Sequence, residues 1–240
     1  LQCLYQAWQQ ARAGKKPSHN QLIFESRWLD NLFVLQESLQ QGSWRPKPAV
    51  CFITTHPKCR EIHAPDFADR VVHHWLVPQL EALYEPVFIH DSHANRKQHG
   101  THLAVQRLQG FMRQVVDGQC TTGQQGYALQ LDIRNFFNRI HRPTLYRLLK
   151  DRLAKAQQQG KITPDKAFSL QWLCHRLLAQ HPSKGVYYRD DASVRALVPA
   201  HKQLANAPQD CGLPIGNLTS QFLDRKSTRL NSSHVSQSRM

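Results

Sequence analysis

The sequence predicts an α+β fold, mostly helical, and three observations carry that expectation. Several long stretches repeat apolar residues at the helical period, leaving one face to bury. A proline-flanked extended stretch at 49–54 is followed by a second at 58–64, which reads as a hairpin. The stretch 127–133 alternates apolar and polar residues, the pattern of a strand with one packed face. A chain of 240 residues with 40% apolar content is long enough for one large domain or two small ones.

Taken in order, Leu1, Leu4, Tyr5, Trp8 and Ala11 predict a helix over 1–13, ended by Gly14. Ile23, Leu29, Leu32, Phe33, Leu35 and Leu39 predict a second over 20–40, stopped at Gly42. Pro46 and Pro48 then introduce the extended stretch and its hairpin partner. A helix is expected from Asp69, with Val72, Trp75, Leu76, Leu80 and Leu83 inward and Pro78 kinking or interrupting it. Leu103, Leu108, Phe111, Met112 and Val115 line another helix, with Arg107 and Arg113 on its wetter side. A turn-rich connection at 118–126 leads into the alternating stretch. There Tyr127, Leu129, Leu131 and Ile133 point one way, and Ala128, Gln130 and Asp132 the other. Helices follow at about 143–157 and 164–180, the second with Thr163 as N-cap, Pro164 at its first position and Asp165 in its first turn. The stretch 181–211 is loop-rich and basic. From Asp224 onward the text has no apolar period and five Ser residues, so disorder is expected. That tail, 224–240, also resembles translated sequencing-adapter read-through and is set aside as non-native.

The charge balance is basic: 31 Lys and Arg against 17 Asp and Glu give +14. Removing the tail's four basic residues and one acid leaves +11, so the excess belongs to the body. It points to a polyanionic partner held through phosphate contacts. No run of 18 apolar residues exists, which argues against a membrane span. The start at Leu1, without Met or a signal pattern, leads to the expectation of an N-terminal truncation and a cytoplasmic protein. Six Cys residues form no CxxC pair, so free thiols are the default. The fourteen His residues include the pairs His73/His74 and His99/His102, and Cys174 precedes His175. None has the spacing of a structural zinc site, and ordinary imidazoles are expected.

Chemistry concentrates in two segments. The first, Leu131-Asp132-Ile133-Arg134-Asn135-Phe136-Phe137, puts a carboxylate at the end of the alternating stretch with an aromatic pair behind it. The second is Cys211-Gly212-Leu213-Pro214-Ile215-Gly216-Asn217-Leu218-Thr219-Ser220-Gln221. Two further blocks are distinctive: Lys58-Cys59-Arg60-Glu61-Ile62-His63 running on to Asp69-Arg70-Val71-Val72-His73-His74, and Phe88-Ile89-His90-Asp91-Ser92-His93-Ala94-Asn95-Arg96 followed by His99-Gly100-Thr101-His102.

In this order, over about residues 20–223, these blocks resemble prokaryotic reverse transcriptases, and the second segment looks most like the diversity-generating-retroelement type. Group II intron enzymes more usually carry Pro where this chain has Gln221. The resemblance implies right-hand polymerase fingers within 1–126 and a partial palm, an antiparallel sheet packed on helices, within 127–223, the thumb being absent. It implies an RNA-directed DNA polymerase using two Mg²⁺ ions, an RNA template, a DNA or RNA primer and dNTPs, with an accessory protein allowed. Asp132 would bind both metals and the Ile133 carbonyl one of them. Phe137 would be the steric gate against a ribose 2′-hydroxyl, while Phe136 is expected in the core. Arg60 and Arg70 would close on the incoming triphosphate. Gly216 would allow close backbone approach to the nascent pair or template. Ser220 and Gln221 would lie beneath template and nucleotide, and in such retroelements Gln at this position accompanies error-prone copying.

The family's second pair of carboxylates, in a YxDD hairpin after the glycine segment, is not in this sequence. The expectation is therefore a polymerase cut before its active site is complete, inactive by itself. Tyr188-Arg189-Asp190-Asp191 fits the bare YxDD pattern but precedes the glycine segment, and its surroundings read as a solvated loop. Alternatives are a non-catalytic basic RNA-binding module, a maturase-like RNA-binding protein and, from composition alone, a His-rich metal-dependent nuclease.

Overall fold

The structure, a computed structural model, describes residues 1–14, 16–94, 96, 98–116 and 127–224. The expected connection at 118–126 and nearly all of the expected disordered tail lie outside the described residues. The fold is mixed α and β, mostly helical with one small three-stranded sheet. Two compact units are present: Leu1–Leu83 with the described residues from Asn135 onward, and Tyr84–Arg134. This partition differs from the boundary at 126/127 drawn from sequence.

In the larger unit the chain opens with α1 (Gln2–Arg12), α2 (His19–Ser26) and α3 (Trp28–Gln40). The single helix expected over 20–40 is thus two, broken at Arg27 with φ −135°. Side chains compete with the helical ladder there: Ser26 Oγ donates to the Ile23 carbonyl at 2.8 Å and Asn31 Nδ2 to the Phe24 carbonyl at 2.9 Å. Leu32 and Leu35 are buried, whereas Ile23, Leu29 and Phe33, expected inward, are exposed.

The hairpin forms as β1 (Val50–Thr54) against β2 (Arg60–Ala64), antiparallel, with Val50 opposite Ala64 and Thr54 opposite Arg60. It leads into α4 (Phe67–Tyr84), which runs through Pro78 without interruption. Proline inside a helix costs about 3 kcal/mol. Beyond it α4 still buries Leu80 and Leu83, after Leu76 and Val77 before it, each worth roughly 1.5–3 kcal/mol, so packing outweighs the local cost.

After α6 (Phe136–Arg139) come α7 (Arg142–Gln158) and α8 (Pro164–Ala179), packed on each other. Leu145, Leu149, Leu153 and Ala156 of α7 meet Ala167, Leu170, Leu173 and Leu178 of α8, all buried. Thr163 caps α8 as expected, accepting the Lys166 N–H. The loop-rich stretch that follows holds β3 (Tyr187–Tyr188), parallel to β1, which completes the order β2-β1-β3, and the short α9 (Ala192–Arg195). Asp190 Oδ2 accepts the Ile53 N–H at 2.5 Å, so this carboxylate fastens the loop to β1 and is not simply solvated. The buried Arg142 holds the end of the stretch, donating to the carbonyls of Leu178 at 3.0 Å, Gln209 and Cys211.

The smaller unit contains α5 (Thr101–Val116) and a preceding loop organised by two arginines. Arg96 donates to Glu85 and to the carbonyls of Ile89 and Ser92; Arg107 forks onto both oxygens of Asp91 at 2.6 and 3.2 Å. Leu108, Phe111, Met112 and Val115 of α5 are exposed. The strand expected over 127–133 does not form. Tyr127, Leu129 and Leu131 are 91%, 84% and 74% exposed, and no strand pairs with them among the described residues. A strand needs a neighbour to accept its backbone groups, and alternation alone does not supply one.

Candidate functional site

The hairpin, α6 and the glycine segment meet in the larger unit. Backbone bonds tie them together: the His63 N–H donates to the Ile215 carbonyl at 2.7 Å, and Leu213 and Gly212 donate to the carbonyls of Phe137 and Ile140, both at 2.9 Å. Gly216 adopts φ +123°, and a Cβ there would stand 2.8 Å from the His63 carbonyl oxygen. The close approach this glycine permits within the chain is to β2.

Between these elements lies a pocket of about 320 Å³, near the lower end of the range for small-molecule sites. Phe136, Phe137, Val198, Leu213 and Ile215 give it an apolar wall; Lys58, Arg60 and Lys202 give it positive charge. The two phenyl rings meet edge to face, centroids 5.4 Å apart, and both are half-buried, so Phe136 lines the pocket instead of joining the core as expected. Glu61, the one carboxylate in the wall among the described residues, is buried and already engaged. It accepts the Leu204 N–H at 2.7 Å and lies 3.6 Å from His63 Nε2. Burial pushes its carboxyl upward, but His63, the Leu204 N–H and the Arg195 charge together hold it below the usual range.

Of the expected site residues, Arg60 and Phe137 come together here, with Ile215 beside Gly216. Arg70 does not line the pocket; its guanidinium stacks over the Phe67 ring at 5.7 Å, and burial lowers its pKa. Gln221 is exposed on the helical segment 218–224 and is also outside the wall. Asp132 and Ile133 belong to the smaller unit, where both are exposed. Lys58, Lys202, Asn135 and Asn138 were not singled out from sequence. Lys58 and Asn135 stand inside the quoted blocks without an assigned role, and the partners of Asn135 and Asn138, the carbonyls of His201 and Gln203, are far away along the chain.

Two ions about 3.5–4 Å apart need bridging carboxylates. Asp132 is one carboxylate, and no group of three or more His, Cys, Asp or Glu able to hold a metal occurs among the described residues. The described residues do not by themselves make a two-ion site.

Two other features carry no chemistry. Cys51 Sγ and Glu61 Oε2 both approach the same nitrogen, His63 Nε2, at 3.8 and 3.6 Å. Cys51 is buried, and burial together with Glu61 and Asp190 pushes its thiol up to about 11, so it is an inert core residue. A larger cavity of about 550 Å³ is lined mainly by apolar side chains such as Leu4, Leu39, Trp75, Phe168 and Trp172, with Gln36, Gln40 and Ser169 adding polar groups, and among the described residues no Asp, Glu, His, Lys or Arg side chain lines it. Among the described residues no helix is long and apolar enough to cross a membrane.

No protein-family model matches the chain. Protein YkfC of Escherichia coli (strain K12) is 24% identical over 140 residues, which cover 58% of this chain and 35% of that protein. The chain thus spans about a third of that relative's length.

Proposed function

We propose that this chain is part of an RNA-directed DNA polymerase of the reverse transcriptase type, carrying the fingers and part of the palm. The pocket behind the hairpin would take the incoming dNTP. The observation that carries the reading is the convergence of Arg60, Phe137 and the glycine segment on one cavity with a cationic side and an aromatic side. Arg60 would fork onto phosphate oxygens, and Phe137 would present a dry wall to the sugar. The two Mg²⁺ ions of the complete enzyme, its template and its primer belong to the proposal for the whole protein. This chain contributes Asp132 toward the metal centre.

The test is calorimetric titration of the chain, bound to an RNA template–DNA primer duplex, with a dNTP and with the matching NTP. The dNTP is expected to bind more tightly. Arg60→Ala should weaken both nucleotides about tenfold, and Phe137→Ala should bring the NTP within a few-fold of the dNTP. Binding that ignores both substitutions would sink the reading.

A further inference from the structure

We infer that the segment around 200–204 forms a second jaw of this pocket, and that Lys202 is a phosphate-binding cation facing Arg60 and Lys58. The inference rests on the nucleotide reading and deepens it: the ligand class is a polyphosphate anion, gripped from the hairpin and from the loop-rich stretch.

The placement of Lys202 is built, not incidental. Its two neighbours are clamped from α6 and the residue that precedes it: Asn135 Nδ2 donates to the His201 carbonyl at 3.1 Å and Asn138 Nδ2 to the Gln203 carbonyl at 3.3 Å. Two residues on, the Leu204 N–H is taken by Glu61 of β2. Lys202 itself ends a 3₁₀ turn, Ala200–Lys202, whose last N–H bonds the Pro199 carbonyl at 2.8 Å. Thus the backbone on both sides of Lys202 is fixed to the elements that carry Phe137 and Arg60. Asn135 holds a left-handed conformation, φ 55°, a cost that asparagine tolerates better than most residues.

The charge arrangement points the same way. Lys58, Arg60 and Lys202 line one cavity, and no ion pair joins any of them to a carboxylate among the described residues. Glu61, the only acid in the wall among the described residues, is engaged by the Leu204 N–H and His63. Three cations against the single carboxylate of Glu61 leave the described lining with an excess of positive charge, and an anion of several charges relieves their mutual repulsion. An aromatic and aliphatic wall opposite suits the uncharged part of a nucleotide. Asn135 and Asn138 are then positioning residues, acting through Lys202.

Inorganic tripolyphosphate is the probe, because it reports the anion site without base, sugar or gate. The full chain is titrated calorimetrically at low salt, with melting temperature as the folding check. Tripolyphosphate should bind the parent chain; Lys202→Gln should lose about tenfold in affinity with unchanged melting, and Lys202→Arg should retain it. Asn138→Ala should lose affinity partially, since it frees the carbonyl beside Lys202. Lys184→Gln, an exposed lysine of the same stretch outside the pocket, should change nothing. Absence of parental binding, or equal losses in the Lys184 and Lys202 variants, overturns the inference. So does a loss confined to Arg60→Ala, which leaves the nucleotide reading standing. If Lys202→Gln loses tripolyphosphate while dNTP and NTP are not distinguished, the anion site stands and the polymerase reading falls.

Discussion

Asp69 and His73 sit one turn apart on the buried side of α4, and burial shifts them in opposite directions. Asp69 Oδ2 accepts the Lys47 N–H at 2.7 Å, and burial pushes its carboxyl up to about 7, the Lys47 N–H opposing and the Asp66 charge adding. His73 is fully enclosed beside Thr219 Oγ1 at 3.1 Å; burial holds it down to about 4, helped by His74 and Arg70. A raised acid favours the folded state at low pH, and that contribution fades as pH climbs from about 4 through 7. A depressed imidazole does the reverse: its contribution is full above about 6.5 and fades as pH falls toward 4. Over the shared window the two slopes oppose, so the parent should show a shallow profile there. Asp69→Asn keeps an acceptor for Lys47 and removes one slope. The variant should gain about 1 kcal/mol over the parent at pH 8, a few degrees in melting temperature, and now lose stability steadily below pH 6.5. Melting curves from pH 4 to 8 decide it, and an unchanged profile would mean that Asp69 is not buried as a titrating acid.

The segment 127–133 raises a different question, since it has a strand's sequence and no strand's structure. Its amides have no ladder partners among the described residues, whereas α7 and α8 pair theirs internally around buried leucines. Hydrogen exchange should therefore be near the free-peptide rate at Leu129 and Leu131, and slower by about a thousandfold or more at Leu149 and Leu170. Strong protection at 129–131 would show a pairing that the structure lacks. The contrast explains what was legible in advance. Helices α7 and α8 announce themselves through apolar period, Thr163 and Pro164, and the hairpin through two short runs close in sequence. Those signals are local. Alternation, by contrast, encodes a face but not the neighbour that must cover it. The break in α2–α3 came from Ser26 and Asn31 taking carbonyls, which periodicity does not register. The pocket was half legible for the same reason. Arg60 and Phe137 stand in recognisable segments, but the clamps on the 201–204 backbone span separations of 66, 65 and 143 residues.

Taken whole, the chain carries +14, and its cations must be asked whether they serve chemistry or only grip. A polymerase fragment and a non-catalytic RNA-binding module both bind RNA through phosphates, so affinity by itself does not separate them. For about six phosphate contacts, single-stranded RNA affinity should fall with a log–log salt slope near −4, about a hundredfold or more between 50 and 200 mM salt. Both readings share that outcome. They part on what else changes. In the binding-module reading, RNA affinity is the whole function, and Phe137→Ala and Asp132→Asn leave nothing else to lose. In the polymerase reading, RNA affinity also survives both substitutions, but Phe137→Ala abolishes discrimination between dNTP and NTP on the bound duplex. Primer extension by this chain should be absent in either case, because a lone Asp132 does not hold two ions in register and such carboxylates act as a unit. Template-directed extension that disappears in Asp132→Asn would overturn that expectation and require a metal centre built differently from the one proposed. Salt-dependent RNA binding with no nucleotide discrimination at any substitution would instead leave the grip alone, and with it the module.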